Sequence, residues 1–249
     1  MSAQLKDKVA VVTGGSTGIG LGIARQFIAE GAFVFITGRR QAELDAAVAE
    51  LGDQAQGVQA DASNLADLDR LYEVVKAQKG RVDIVVANAG GGDLAPLGQI
   101  TEVSYEKTFA TNVKGVLFTV QKALPLLSRG ASVILTGSTT SIKGNPAFSV
   151  YSATKAAVRN FARSWILDLK GQGIRINVLS PGPVKTPGLL GLAAEGEDQA
   201  LLDMFAAQVP LGRVGEPDEI GKVAVFLASD ASSFVNGAEI FADGGQAQV

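Results

Sequence analysis

The chain has 249 residues, 47% of them apolar and 19% charged, with a formal net charge of −3. That balance describes a compact soluble protein without the basic footprint of a nucleic-acid binder. It holds no cysteine and no histidine, which excludes disulfides, thiolate nucleophiles, Ser-His-Asp hydrolysis and the usual zinc sites.

Proton chemistry therefore falls to Tyr, Lys, Asp, Glu, Ser or water, and no metal site is expected. The polar start from Met1 to Lys8 has no hydrophobic signal region, and no apolar stretch is long enough to span a bilayer. The cytoplasm is the expected location, with no membrane partner.

Val9–Thr13 reads as a buried strand, followed by the turn Thr13-Gly-Gly-Ser-Thr-Gly-Ile-Gly20 and a helical pattern through Ile23, Phe27 and Ile28 that stops at Gly31. Strand, glycine-rich turn and helix in this order suit a dinucleotide, because glycines admit the pyrophosphate and a helix N-terminus offers free N–H groups. Gly14, Ser16, Thr17, Gly18, Ile19 and Gly20 are the candidates here. The spacing differs from the common G-x-G-x-x-G, and a plain tight turn would use the same glycines.

Phe33–Thr37 is the second strand, ending in Gly38-Arg39-Arg40. An acidic residue at this place would bind the ribose hydroxyls of NAD, whereas a guanidinium suits a 2′-phosphate. Arg39 and Arg40 thus point to NADP(H), with a solvated surface pair as the alternative. A helix over 41–51 and a strand over 57–61 follow, with Asp61 and Ala62 placed toward an adenine.

A helix over 64–79 comes next, carrying Tyr72. The fourth strand, Val82–Asn88, opens into Ala89-Gly90-Gly91-Gly92, where small residues allow a flat cofactor to pack closely or simply form a connecting loop. A long helix is predicted from about Val103 to Ser128. Asn112 inside it costs helix propensity, which a kink, a local hydrogen bond or a water held near Lys155 would each explain.

The stretch from Ser138 to Lys155 carries the chemistry. Tyr151 and Lys155 are four apart and so share one helix face. A phenol titrates near pH 10, and a neighbouring ammonium favours its phenolate. That makes proton exchange with a bound alcohol or ketone feasible, with Ser138, just past the strand at 133–135, holding the same oxygen. Tyr72 and Lys76 repeat the spacing without an upstream serine, and Tyr72 reads as structural.

A strand over 174–179 leads into Ser180-Pro181-Gly182-Pro183-Val184-Lys185-Thr186-Pro187. A loose segment from about 188 to 210 reads as a flap with a short apolar helix. Pro217–Ala228 is the last helix and Ala238–Asp243 the last strand. Alternating strands and helices throughout imply one α/β domain over 1–249, a doubly wound Rossmann-type seven-stranded parallel sheet flanked by helices. Gly14–Gly20, Arg39, Asp61, Asn88, Ser138 and Thr186 all follow strands on the edge where such sheets bind ligands.

Taken together, these motifs resemble the short-chain dehydrogenase/reductase family in its single-domain branch: Thr-Gly-x-x-x-Gly-Ile-Gly at 13–20, Asn-Ala-Gly at 88–90, Asn112, Ser138, Tyr151-x-x-x-Lys155, Pro181-Gly182 and Thr186. Ala87 stands where the family commonly has a second Asn. The resemblance implies Tyr151 as general acid/base, Ser138 as the group orienting the substrate oxygen, and Lys155 as binding the nicotinamide ribose while depressing the Tyr151 pKa. Asn112 would hold a water in the proton relay. Asn88 and Gly90, with Ala89 between them, would lie along the adenosine ribose, and Thr186 and the Val184 backbone would fix the carboxamide.

The branch further implies a homotetramer, with the helices containing Asn112 and Tyr151 forming one interface. Thr37-Gly-Arg-Arg, the run 119–127 and Pro210–Gly215 look like bacterial NADP-dependent secondary-alcohol dehydrogenases acting on bulky ketones. The absence of Lys and Arg from the flap over 188–208 favours a neutral apolar ketone or alcohol. Reduction of a 3-oxoacyl carrier thioester stands as the alternative.

Overall fold

The computed structural model describes residues 3–249; Met1 and Ser2, the first residues of the polar start, lie outside it. Seven strands form one sheet: β1 (Val9–Val12), β2 (Phe33–Gly38), β3 (Ala55–Gln59), β4 (Val82–Ala87), β5 (Leu127–Thr136), β6 (Arg175–Pro181) and β7 (Glu239–Ala242). Their order is β3-β2-β1-β4-β5-β6-β7 and every pairing is parallel. The strand order reverses between β1 and β4, and the crevice at that switch point lies beyond the strand C-termini.

Both faces of the sheet are covered. Helices α1 (Gly18–Ala29), α2 (Gln41–Leu51) and α9 (Pro217–Ala228) lie on one side, where Ile23, Phe27, Leu44, Ile220 and Leu227 pack on Val12, Ile36 and Ile134. On the other are α3 (Leu65–Lys79), α5 (Gly115–Ala123) and α6 (Ser149–Asp168), whose Leu68, Leu71, Val116, Val120, Val158 and Ala162 pack on Val11, Val85 and Val133. This double burial explains why the central strands read as unbroken apolar runs instead of alternating ones.

The remaining helices, α4 (Glu102–Phe109), α7 (Pro187–Leu190) and α8 (Asp198–Ala206), follow the strand ends. No helix among the described residues is long and apolar enough to cross a membrane.

Three predicted elements differ from the structure. The helix expected to reach Ser128 ends at Ala123, and Leu127 and Ser128 already belong to β5; Pro125 at the start of a 3₁₀ turn stops the helix earlier. Strand β3 begins and ends two residues before the predicted span because its pairing to β2 runs from Ala55 to Gln59. The flap contains two helices, α7 being initiated by the Thr186 hydroxyl, which accepts from Leu189 N at 3.1 Å.

Opposite the crevice, Asp83 ties the lower edge of the sheet together. Its carboxylate accepts from Val9 N at 2.8 Å, Ser128 Oγ at 2.6 Å and Arg81 Nε at 3.1 Å. Burial pushes this carboxyl up, but the bonds from Ser128, the Val9 amide and Arg81 outweigh it and hold the pKa below the ordinary carboxylate value. The stabilisation is thus present above about pH 4 and is lost as pH falls through the folded-state pKa. Asp83→Ala, which leaves a buried amide unpaired, should cost about 1–3 kcal/mol at pH 7 by urea denaturation, with the gap to wild type closing on acidification.

Candidate active site

The glycine-rich turn is built so that nothing but backbone fits. Gly14 and Gly18 adopt φ of +65° and +55°, left-handed values that favour glycine. A Cβ on Gly20 would stand 2.2 Å from Gly14 O and 2.6 Å from Asn88 Nδ2. Thr17, at the N-cap of α1, makes no side-chain cap bond, so the first amides of that helix are left facing the crevice. Ile19, half-buried, packs against the core beneath. This cradle of bare backbone at a helix N-terminus fits a dinucleotide pyrophosphate.

Two side chains lock the cradle. Thr13 Oγ1 accepts from Asn88 N at 3.1 Å and Ala89 N at 3.2 Å. Asn88 Nδ2 donates to Thr13 O at 3.0 Å and Gly14 O at 3.3 Å, while its Oδ1 accepts from Thr136 Oγ1 at 3.3 Å. The Asn88 amide thereby joins the ends of β1, β4 and β5.

At the end of β2 the two arginines differ. Arg40 pairs with Glu43 at the start of α2. Arg39 is exposed, and its guanidinium has no ion pair or hydrogen bond among the described residues. A Cβ on Gly38 would lie 2.6 Å from Ser16 Oγ, so the turn and the β2 end meet here with Arg39 at the rim. Asp61 Oδ1 accepts from Ser63 N and Oγ at 2.8 and 2.7 Å. Ala62 is buried under Gly115, whose added Cβ would stand 3.0 Å from Ala62 O.

Across the crevice, Gly182, just past Pro181, packs so close to Asp243 that a Cβ would reach 2.8 Å from its Cα. Val184 is buried and bridges to Gly215, and Thr186 lies over Gly18, 3.3 Å from where a Cβ would be. These residues bring the far wall to the mouth of the glycine-rich turn.

Between the walls sit the residues of the Tyr-Lys motif. Ser138 faces the Tyr151 hydroxyl and draws its pKa down, while its own Oγ accepts from Thr140 N at 3.2 Å. Lys155 is 3% exposed, donates to Thr136 O at 2.8 Å and lies 5.4 Å from the centre of the Tyr151 ring. A Cβ on Gly90 would come within 3.4 Å of the ammonium and 3.2 Å of Asn112 Oδ1. Gly90 thus lies against both polar groups, with room for little more than its hydrogen on the Asn112 side.

Asn112 occupies a π-helical turn, Ala110–Lys114, between α4 and α5. Its Nδ2 donates to Gly91 O at 2.8 Å and Thr154 Oγ1 at 3.0 Å, and its Oδ1 accepts from Gly91 N at 3.0 Å. Both Nδ2 hydrogens are thus committed to the protein, while Oδ1 keeps one lone pair. Tyr72, by contrast, is buried in the core and donates to Thr119 O at 2.6 Å; it is structural, as its spacing without a serine suggested.

The titration of the pair differs from the expectation. Burial pushes the Tyr151 phenol up to about 12, with the Ser138 hydroxyl pulling the other way. Burial also pulls Lys155 down to about 8. The protein alone therefore does not depress the phenol; at neutral pH it holds a protonated tyrosine beside an ammonium.

Sequence reasoning missed Thr136 and Thr154, whose carbonyl and hydroxyl anchor Lys155 and Asn112, and Phe148, which stacks on Tyr151 with ring centres 4.4 Å apart. Phe148 lies three residues from the motif, a signal that was available. The two threonines carry no pattern that separates them from ordinary strand and helix residues.

A family model described as enoyl-(acyl carrier protein) reductase matches residues 14–247. A solved short-chain dehydrogenase/reductase from Brucella melitensis superposes with a TM-score of 0.92 at 31% identity, covering 99% of both chains. The chain belongs to the short-chain dehydrogenase/reductase family. It is an oxidoreductase of that family, whose members use nicotinamide cofactors.

The oxidoreductase asL5 of Sarocladium schorii is 54% identical over 99% of this chain and 98% of its own length. An NADP-dependent (R)-specific alcohol dehydrogenase of Lentilactobacillus kefiri is 38% identical over 98% of each. A 3-oxoacyl-[acyl-carrier-protein] reductase of Thermotoga maritima is 36% identical over 97% and 98%.

The lowered Lys155 pKa has a consequence for stability that can be measured without turnover. Between about pH 8 and the unfolded-state value of 10.5, the unfolded chain binds this proton and the folded chain does not, so wild-type stability rises with pH in that window. Lys155→Met should lack this rise when the two proteins are compared by denaturant titration at pH 8 and pH 10. Equal pH slopes would show that Lys155 titrates normally.

Proposed function

We propose that the protein is an NADP(H)-dependent oxidoreductase interconverting neutral, apolar ketones and secondary alcohols. The observation that carries this is Tyr151 facing Ser138, with the buried Lys155 ammonium 5.4 Å from its ring centre, at the switch point opposite the glycine-rich cradle. Arg39, unpaired at the end of β2 where an acidic residue would favour NAD, supports NADP(H).

When bound, NADP(H) supplies or accepts the hydride. Gly14, Ser16, Thr17, Gly18 and Gly20 would hold its pyrophosphate side, Arg39 its 2′-phosphate, Asp61 and Ala62 its adenine, and Val184 and Thr186 its carboxamide. Ser138 orients the substrate oxygen, and Tyr151, protonated at neutral pH, gives its proton to that oxygen during reduction. Lys155 stabilises the phenolate left behind, and the Asn112 turn holds the water that returns the proton. In alcohol oxidation the same phenol must first lose its proton, so that direction is favoured by alkaline pH.

Carrier-thioester reduction is the second reading, favoured by the family model's description and by the Thermotoga maritima relative. Against it, the flap over 188–208 has four acidic residues and no Lys or Arg to grip a phosphorylated carrier. We further read the chain as a cytoplasmic homotetramer using the α4–α5 and α6 surfaces. The stacked Phe161–Trp165 pair, incompletely buried on α6, suits such an interface.

Purified protein should oxidise NADPH with an aryl ketone, and activity confined to 3-oxoacyl thioesters would reverse the ranking. Tyr151→Phe should abolish turnover while leaving NADPH binding, followed by fluorescence titration, within a few-fold of wild type. Arg39→Ala should raise the KM for NADPH on the order of tenfold, the worth of one charge-assisted pair, with little change for NADH.

A further inference from the structure

The loop before the Tyr151 helix breaks two local rules at adjacent positions. Ala147 adopts φ of +60°, a left-handed conformation that an alanine seldom takes. Phe148 then occupies the N-cap of α6 and makes no side-chain cap bond, and no acidic residue follows in the first turn. Ser, Thr, Asp or Asn would cap that helix better. Tyr151 therefore stands in an uncapped first turn, the part of a helix most prone to fray.

What this segment gains is contact with the phenol. The Phe148 ring lies stacked on Tyr151, with centres 4.4 Å apart and planes 19° from parallel, the offset geometry aromatic pairs favour. On the Cβ–Cδ2 edge of the tyrosine the backbone of Gly92 closes in, so that a Cβ there would lie 2.9 Å from Cδ2 and 3.0 Å from Cβ. The two loops are tied to each other, Ala95 N donating to Ala147 O at 2.8 Å.

We infer that Phe148 is a positioning residue for Tyr151: its ring, set by the left-handed turn at Ala147 and the tie to the Gly92 loop, holds the phenol toward Ser138. This rests on the reading of Tyr151 as the general acid/base. The charged group facing Tyr151 from its own helix is Lys155; from the strand loop comes the uncharged Ser138, and Asp93 of the glycine loop accepts instead from Ser104 Oγ at 2.9 Å.

The test compares Phe148→Ala, Phe148→Leu and Phe148→Tyr with Tyr151→Phe, using NADPH and an aryl ketone across pH 6–11 (a range of about five units around neutrality and the phenol's ordinary pKa). Phe148→Ala should lower kcat on the order of ten- to a hundredfold, leave the KM for NADPH unchanged and shift the alkaline limb of reduction to lower pH. Phe148→Leu, which keeps bulk and guards against a variant that fails to fold, should fall between. Phe148→Tyr, which keeps the flat ring, should recover most of kcat.

Wild-type kcat and an unmoved alkaline limb in Phe148→Ala and Phe148→Leu would overturn the inference, as would a loss confined to the KM for ketone. Should Tyr151→Phe itself keep full turnover, the acid/base reading falls and this inference with it. An inactive Tyr151→Phe alongside unaffected Phe148 variants removes the positioning role alone.

Discussion

A buried ammonium is costly, and the crevice is arranged around holding one. Lys155 keeps one bond, to Thr136 O, and little exposure, so most of its hydration is given up and its pKa falls. Such a cost persists only where the surrounding fold enforces it. Here α6 is pinned to the sheet by Val158 and Ala162, both fully buried, which fixes the backbone from which the lysine reaches Thr136. The strain at Ala147 and the missing cap on α6 belong to the same pattern of local stability given up next to the reacting groups.

The second constraint is closeness of backbone. Asn88, Thr13 and Thr136 hold the β1 turn, the β4 loop and the end of β5 within hydrogen-bonding reach of one another. No charge is used in this junction. It depends on amides paired with carbonyls and on side chains small enough to permit the approach, which is why Gly20 matters as much as any functional group.

Most of the architecture was legible in the sequence because buried parallel strands leave continuous β-branched runs, and helices such as α2 and α3 end at Gly. Pro217–Ala228 and Gln41–Leu51 coincide with their predicted spans. The Tyr151, Lys155 and Ser138 cluster was legible because residue type and spacing carry the chemistry. What was hidden depends on backbone detail: the carbonyl of Thr136, the reciprocal bonds of Asn112 with Gly91, and the sign of the Tyr151 shift. That shift turns on burial, which spacing does not encode. The helix end at Ala123 was misplaced because the apolar run 124–127 suits helix and strand alike.

The π turn at Asn112 has a further effect on how the long helix lies. One surplus residue in a winding of 3.6 per turn rotates everything after it by about 100°. Before it, α4 turns Val103 and Tyr105 outward; after it, α5 sets Val116, Val120 and Ala123 against the sheet. The turn is thus a phase adjuster as well as a seat for Asn112. Removing one residue between 110 and 114 would restore regular winding at the expense of either the sheet-facing stripe or the asparagine's aim.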